Sequence, residues 1–162
     1  MRKALLLFAV LGLAGSLYGA DPIIGTWKLN IAKSKYSPVF LALVKQSVPD
    51  KESKTIEVYA EVTGDRFELT RTFVRKDGSS RLQKYTWHRY GGAAAVPKDF
   101  PFAVTETFIA PGEWYATFLI GGNQHHVIHK VVGKDGKTLS QTTTGVAPDG
   151  KFFEQIEVYD RQ

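Results

Sequence analysis

Four histidines carry the most versatile chemistry in this sequence: His88, His125, His126 and His129. On a helix His125 and His129, four residues apart, would share a face and could hold one metal ion. Their neighbours are Val127, Ile128, Val131 and Val132, behind a Gly121-Gly122 turn, which is strand composition. In a strand four residues span about 13 Å at ~3.3 Å each. Two ligands of one zinc lie only about 2 Å from the metal. Alternation also sends His125 and His126 to opposite faces. No metal site and no cofactor is expected, an axial histidine for a haem being the one other ligand chemistry the segment offers. Glu157 with His129 could form a proton-transfer pair, or a satisfied polar pair inside a fold. Asp77, Asp135 and Asp149 each precede a glycine in a turn, where a short carboxylate bonds its own backbone. No serine occupies a G-x-S-x-G elbow, and no glycine loop leads into a helix to cradle phosphate.

Strands must position these groups. Thr55 to Val62 alternates, with Ile56, Val58, Ala60 and Val62 on one face and Thr55, Glu57, Tyr59 and Glu61 on the other. Further strands are expected over residues 23–29, 66–75, 80–90, 103–109, 114–120, 124–132, 138–144 and 152–159. Turns such as Lys76-Asp77-Gly78, Lys134-Asp135-Gly136 and Pro148-Asp149-Gly150 separate them, and Asp-Gly between alternating runs is a strong hairpin signal. Residues 91–101 are expected to form a surface loop. Pro38 to Lys45 could form a short helix with Ser37 as its N-cap. About nine strands at such spacing, with no crossover helices, predict an all-β fold. The fold class expected is an antiparallel up-and-down meander closed into a β-barrel of about 8–10 strands, since closure removes sheet edges.

Turn length then sets register. With three-residue loops at each Asp-Gly turn, Arg75 opposes Ser79, so Leu69 faces Tyr85, Phe67 faces Trp87, and Arg71 lies beside Gln83. Ala147 opposes Lys151, so Gln141 faces Glu157 and Leu139 faces Tyr159. Gly133 opposes Lys137, so Val131 faces Leu139 and His129 faces Gln141. The predicted ligand-binding surface is therefore Arg71, Tyr85, Trp87, His129, Gln141, Glu157 and Tyr159, aromatic bodies with a few polar groups. With two-residue turns instead, an apolar face of Ile56, Val58, Ile156 and Val158 would form the core.

The N-terminus has a different character. Arg2 and Lys3 precede an apolar run from Ala4 to Ala14, followed by small residues up to Ala20. That is the layout of a secretory signal peptide over 1–20, with a mature domain over 21–162; the apolar run is short of the ~20 residues a membrane span needs. A secreted or periplasmic location follows as the expectation. No cysteine is present, so a secreted domain of this kind would rest on its core. Taking Arg2 and Lys3 from the 21 basic residues leaves 19 against 16 acidic ones, a net of +3. The charges are interspersed, and no basic block suggests nucleic-acid binding.

One local string points to a family. Gly25-Thr26-Trp27-Lys28-Leu29 on the first strand resembles the opening of lipocalins and fatty-acid-binding proteins, the calycin superfamily. The ending Val158-Tyr159-Asp160-Arg161 is similar to the closing strand of the fatty-acid-binding proteins, and the whole also resembles small secreted bacterial lipocalin-like proteins. The resemblance implies that Gly25, Trp27 and Arg161 form a structural motif, with Arg161 stacked on a core Trp27. The middle T-D-Y motif of lipocalins is absent. The Arg-x-Tyr that holds a fatty-acid carboxylate falls here on Glu157-Val158-Tyr159, an acid where that family has arginine.

Three functions fit these features. One is a carrier binding a small hydrophobic or amphipathic molecule in the barrel. A second is a structural or protein-interaction barrel without ligand. A third is an enzyme acting on a lipid-like substrate through His129 and Glu157. Cavity volume separates the first two, because a filled barrel leaves no pocket of a few hundred Å3.

Overall fold

Alternation along residues 54–63 has the unexpected outcome that its polar side is the buried one. In the computed structural model, which describes residues 19–43, 48–63 and 65–162, Thr55, Glu57 and Tyr59 face the interior, and Val58 is exposed. The Ile56, Val58, Ile156 and Val158 face is on the outside. What admits Glu57 to the interior is its cross-strand neighbour Arg71, since a buried charge needs a paired partner.

Ten antiparallel strands form one sheet: β1 (Gly25–Leu29), β2 (Lys54–Thr63), β3 (Arg66–Val74), β4 (Ser80–His88), β5 (Gly91–Ala93), β6 (Ala103–Ala110), β7 (Glu113–Ile120), β8 (Asn123–Val132), β9 (Thr138–Val146) and β10 (Phe152–Arg161). Each pairs with the next in sequence except β4 with β5, the two ends of the sheet; β1 also pairs with β10, and the sheet wraps into a barrel. The meander expected from the turn spacing is therefore the fold. The strand that alternation missed is β5, placed in the expected loop. Gly91 and Gly92 carry no side-chain pattern, and both sit at positive φ. At Gly91 a Cβ would come 2.7 Å from the Glu106 carbonyl oxygen, so only glycine lets this edge approach β6. The barrel is nearly closed: between β4 and β5 a single bridge, Thr86 with Ala95, joins the two ends of the sheet.

After β1 a 3-10 turn (Ile31–Lys33) leads to a backbone bridge between Lys35 and Ile156 and then to α1 (Pro38–Leu43). Ser37 caps α1 as expected, its Oγ accepting from the Phe40 amide at 3.3 Å. Phe40 and Leu41 are buried and reach the barrel interior. The opposite end is closed by residues 21–24. Asp21 accepts from the amides of Ile23 and Gly112 and from the Trp114 indole. Behind this plug the core is aromatic: Trp27, Trp87, Trp114, Tyr59, Phe67 and Tyr159 are all at most 2% exposed. Trp87 and Trp114 meet edge to face at 6.1 Å.

Arg161 completes that end. Its guanidinium lies over Trp27, donates to the carbonyls of Pro22, Ile24 and Gly136, and leaves no room for a Cβ at Gly25. The three residues Gly25, Trp27 and Arg161 thus act as one unit, as the resemblance implies. The expected leader lies almost wholly outside the described residues, of which Gly19 and Ala20 are the first.

Candidate functional site

Two of the three Asp-Gly hairpins have the expected register. The Arg75 amide bonds the Ser79 carbonyl, and the Ala147 amide bonds that of Lys151. These place Leu69 against Tyr85, Phe67 against Trp87 and Arg71 beside Gln83, and Gln141 against Glu157 with Leu139 against Tyr159. Six of the seven predicted surface residues, Arg71, Tyr85, Trp87, Gln141, Glu157 and Tyr159, therefore point into one barrel.

The third hairpin differs by one residue. Gly133 bonds Thr138 rather than Lys137, giving a four-residue loop. A shift of one flips every side chain on a strand. His129 accordingly lies opposite Thr142, on the outer wall. It stacks on Tyr115 with ring centroids 4.3 Å apart and hydrogen-bonds Glu113 at 2.9 Å. His129 and Glu157 are on opposite sides of the wall and form no proton-transfer pair. Val127 and Val131 turn outward with it, and Lys130, Ile128 and His126 turn inward.

The interior and its open mouth together form a cavity of about 1270 Å3. Arg71, Tyr85 and Glu157 line it, joined by Lys130, Thr143 and Gln155. Trp87, Gln141 and Tyr159 stand one layer behind, fully buried around the floor. Towards the mouth the lining is apolar and aromatic: Phe40, Phe73, Phe100, Phe102, Phe118 and Ile128.

Two buried ion pairs hold the floor. In the first, Glu57 accepts from Arg71, from the Tyr59 hydroxyl at 2.8 Å and from Gln141 at 2.6 Å. The Arg71 fork also donates to Gln141 Oε1 at 3.1 Å. In the second, Lys130 Nζ donates to Glu106 at 2.7 Å, and the Tyr85 hydroxyl does so at 2.9 Å. The ammonium lies 5.4 Å from the Trp87 ring and 5.5 Å from that of Tyr59, as cation–π partners. Burial, with the neighbouring carboxylates, lifts Tyr59, Tyr85 and Tyr159 well above the usual phenol range, so their hydroxyls remain donors.

Glu157 is less well served. Among the described residues it accepts one hydrogen bond, from the Tyr159 hydroxyl at 3.4 Å. Burial raises its carboxyl above the ordinary value; Arg71 opposes that and Glu57 adds to it. Tyr36, brought over the cavity ahead of α1, is pushed up to about 12 by burial and then by Glu157.

At the mouth, a register shift between Phe118 and Leu119 leaves His125 as an extra residue in β8. The expected alternation of His125 and His126 is broken there, and both rings line the cavity. Their Nδ1 atoms approach to 2.7 Å. His126 stacks on Phe118 at 4.4 Å. Burial, then His125 and Arg71, depress it to about 3, so its ring is neutral. Among the described residues no three His, Cys, Asp or Glu side chains are grouped to hold a metal ion.

Sequence reasoning missed Glu57, Glu106, Lys130 and His126. Glu57 was discoverable: the antiparallel pairing of β2 with β3 brings it opposite Arg71. Lys130 and His126 were hidden by the one-residue slip.

The barrel can be set beside known structures. A mutant of the fluorescent protein UnaG superposes with a TM-score of 0.62 at 13% identity, over 88% of this chain and 97% of that one. Lipid binding protein 8 of Caenorhabditis elegans gives 0.59 at 14%, over 91% and 100%. Fatty-acid-binding protein 1 of Echinococcus granulosus gives 0.57 at 15%, over 87% and 98%. The fold is the antiparallel up-and-down barrel that these proteins share. At these identities the likeness is one of fold. No protein-family model and no curated protein matches the chain in sequence. The floor of this barrel holds two ion pairs and the acid Glu157.

Proposed function

We propose that this protein is a secreted or periplasmic carrier that binds a small hydrophobic or amphipathic molecule inside the barrel. The cavity carries this reading. At about 1270 Å3 it is at or above the ~300–1,000 Å3 typical of ligand pockets. Its aromatic mouth suits an apolar body, and its polar floor suits a head group. The fold neighbours include a fatty-acid-binding protein and a lipid binding protein by name, which supports the ligand class without fixing it. The secreted location rests on the leader-like sequence of residues 1–20. A filled structural barrel is disfavoured by the cavity itself, and acid–base catalysis by the separation of His129 from Glu157.

Native mass spectrometry of the protein purified from its own host is the direct test. The expected spectrum contains a population carrying one bound small molecule, released when the protein is denatured. A spectrum of bare protein, together with no change in tryptophan emission on titration with apolar probes, would return the filled-barrel reading.

A further inference from the structure

The inward charges of the cavity do not balance. Among the described residues its floor is built around three carboxylates, Glu57, Glu106 and Glu157, and two cations, Arg71 and Lys130. Both cations are committed. Arg71 serves Glu57 and Gln141. Lys130 serves Glu106, is 1% exposed and is covered by two aromatic rings. Glu157 is left facing the cavity with a phenol and, among the described residues, no cation in direct contact; Arg71 acts on it only from its place on Glu57. The Tyr36 hydroxyl is another buried polar group of this lining. The lysines and arginines that line the mouth, Lys54, Arg75, Lys76 and Arg81, are exposed beside Asp50 and Asp77. Solvent and salt screen them from the floor.

We infer that the cavity selects amphiphiles whose head group donates hydrogen bonds, an amine or an alcohol, over those ending in a carboxylate, and that Glu157 sets this choice. The inference rests on the carrier reading. A carboxylate at the floor would place a second anion beside Glu157 with both cations already paired, and an unpaired buried charge is costly. A protonated amine supplies the counter-ion Glu157 lacks through a charge-assisted hydrogen bond. An alcohol donates to the same oxygen without a charge.

The test is a tryptophan-fluorescence titration at neutral pH with dodecyl amine, dodecyl alcohol and the carboxylate of the same chain length. Wild type is expected to bind the amine and the alcohol at least about tenfold more tightly than the carboxylate, a factor worth ~1.4 kcal/mol. Glu157→Gln should lower the amine to the level of the alcohol and leave the alcohol in place. Glu157→Arg should raise the carboxylate above both. Equal binding of all three by wild type, or tightest binding of the carboxylate, overturns the inference and leaves the carrier reading standing. Binding of none overturns both. An amine preference that persists in Glu157→Gln removes Glu157 from its assigned role. The wild-type series decides the head-group class even if a variant fails to fold.

Discussion

The guanidinium of Arg161 covers the indole of Trp27, with Cζ 4.2 Å from the ring centroid, while its nitrogens hold three backbone carbonyls. Trp27 itself donates to the Ile23 carbonyl at 2.8 Å and is fully buried. Last strand, first strand, N-terminal plug and the turn at Gly136 are thereby tied at one point. Trp27→Ala is expected to cost about 3–5 kcal/mol, and Arg161→Ala roughly 1–3 kcal/mol through lost cation–π and charged hydrogen bonds. Arg161→Lys should recover little, because an ammonium cannot reproduce the fork. Chemical-denaturation midpoints measure all three; a midpoint unmoved by Trp27→Ala would contradict the plug.

The Glu106–Lys130 pair gives a second prediction. Lys130→Met leaves a buried carboxylate without its cation, and is expected to cost about 3–5 kcal/mol. Adding Glu106→Gln should restore much of that, since removing both charges removes the desolvation cost. The denaturation midpoints of the two single variants and the double variant form the cycle that reads this coupling. Additive losses would mean that the two groups do not depend on each other.

His126 makes the protein acid-sensitive. Its folded value of about 3 lies below the ordinary 6.5 because burial, His125 and Arg71 disfavour its charge. Between those limits the unfolded chain binds the proton that the folded one refuses, so stability is present above 6.5 and falls as pH drops. From pH 6.5 to 4.5 this group should cost up to about 2.5 kcal/mol, at ~1.36 kcal/mol per unit. His126→Phe keeps a ring against Phe118 and should flatten that part of the stability–pH curve. Identical acid-side slopes for variant and wild type would exclude His126 as the source.

Export is the prediction of the leader. Expressed in a bacterium, the protein should reach the periplasm or medium and begin near Asp21, as N-terminal sequencing would establish. Met1 on the soluble exported product would defeat the signal-peptide reading.

The barrel was legible in the sequence because turn chemistry and alternation agree along most of the chain. Register was legible only where the loop length was right. Lys76-Asp77-Gly78 and Lys134-Asp135-Gly136 are the same tripeptide, and in both the aspartate accepts from the amide two residues on. The first closes on Ser79 and the second runs on to Thr138. What distinguishes the second is remote in sequence: Arg161 donates to the Gly136 carbonyl, and its own amide to that of Lys137. No local window contains that contact. The one-residue slip puts His129 inside in place of Lys130, and so sets an imagined catalytic pair where the structure has a buried ion pair. Glu57 was missed for another reason. Its strand has one apolar face, and the pairing with Arg71 turns the other face inward.

The bridge between Thr86 and Ala95 consists of two backbone hydrogen bonds, whereas most other strand boundaries are continuous ladders. A cylinder with one unstitched seam has one inexpensive way to deform. Parting there sacrifices two bonds and leaves the rest of the weave intact, so local opening is concentrated on this line. Beside it the Tyr85 ring of β4 meets Phe100, of the segment between β5 and β6, at 6.5 Å. Amide exchange should therefore be fastest along the β4–β5 margin, and a guest too bulky for the aromatic mouth would have a side door through the wall.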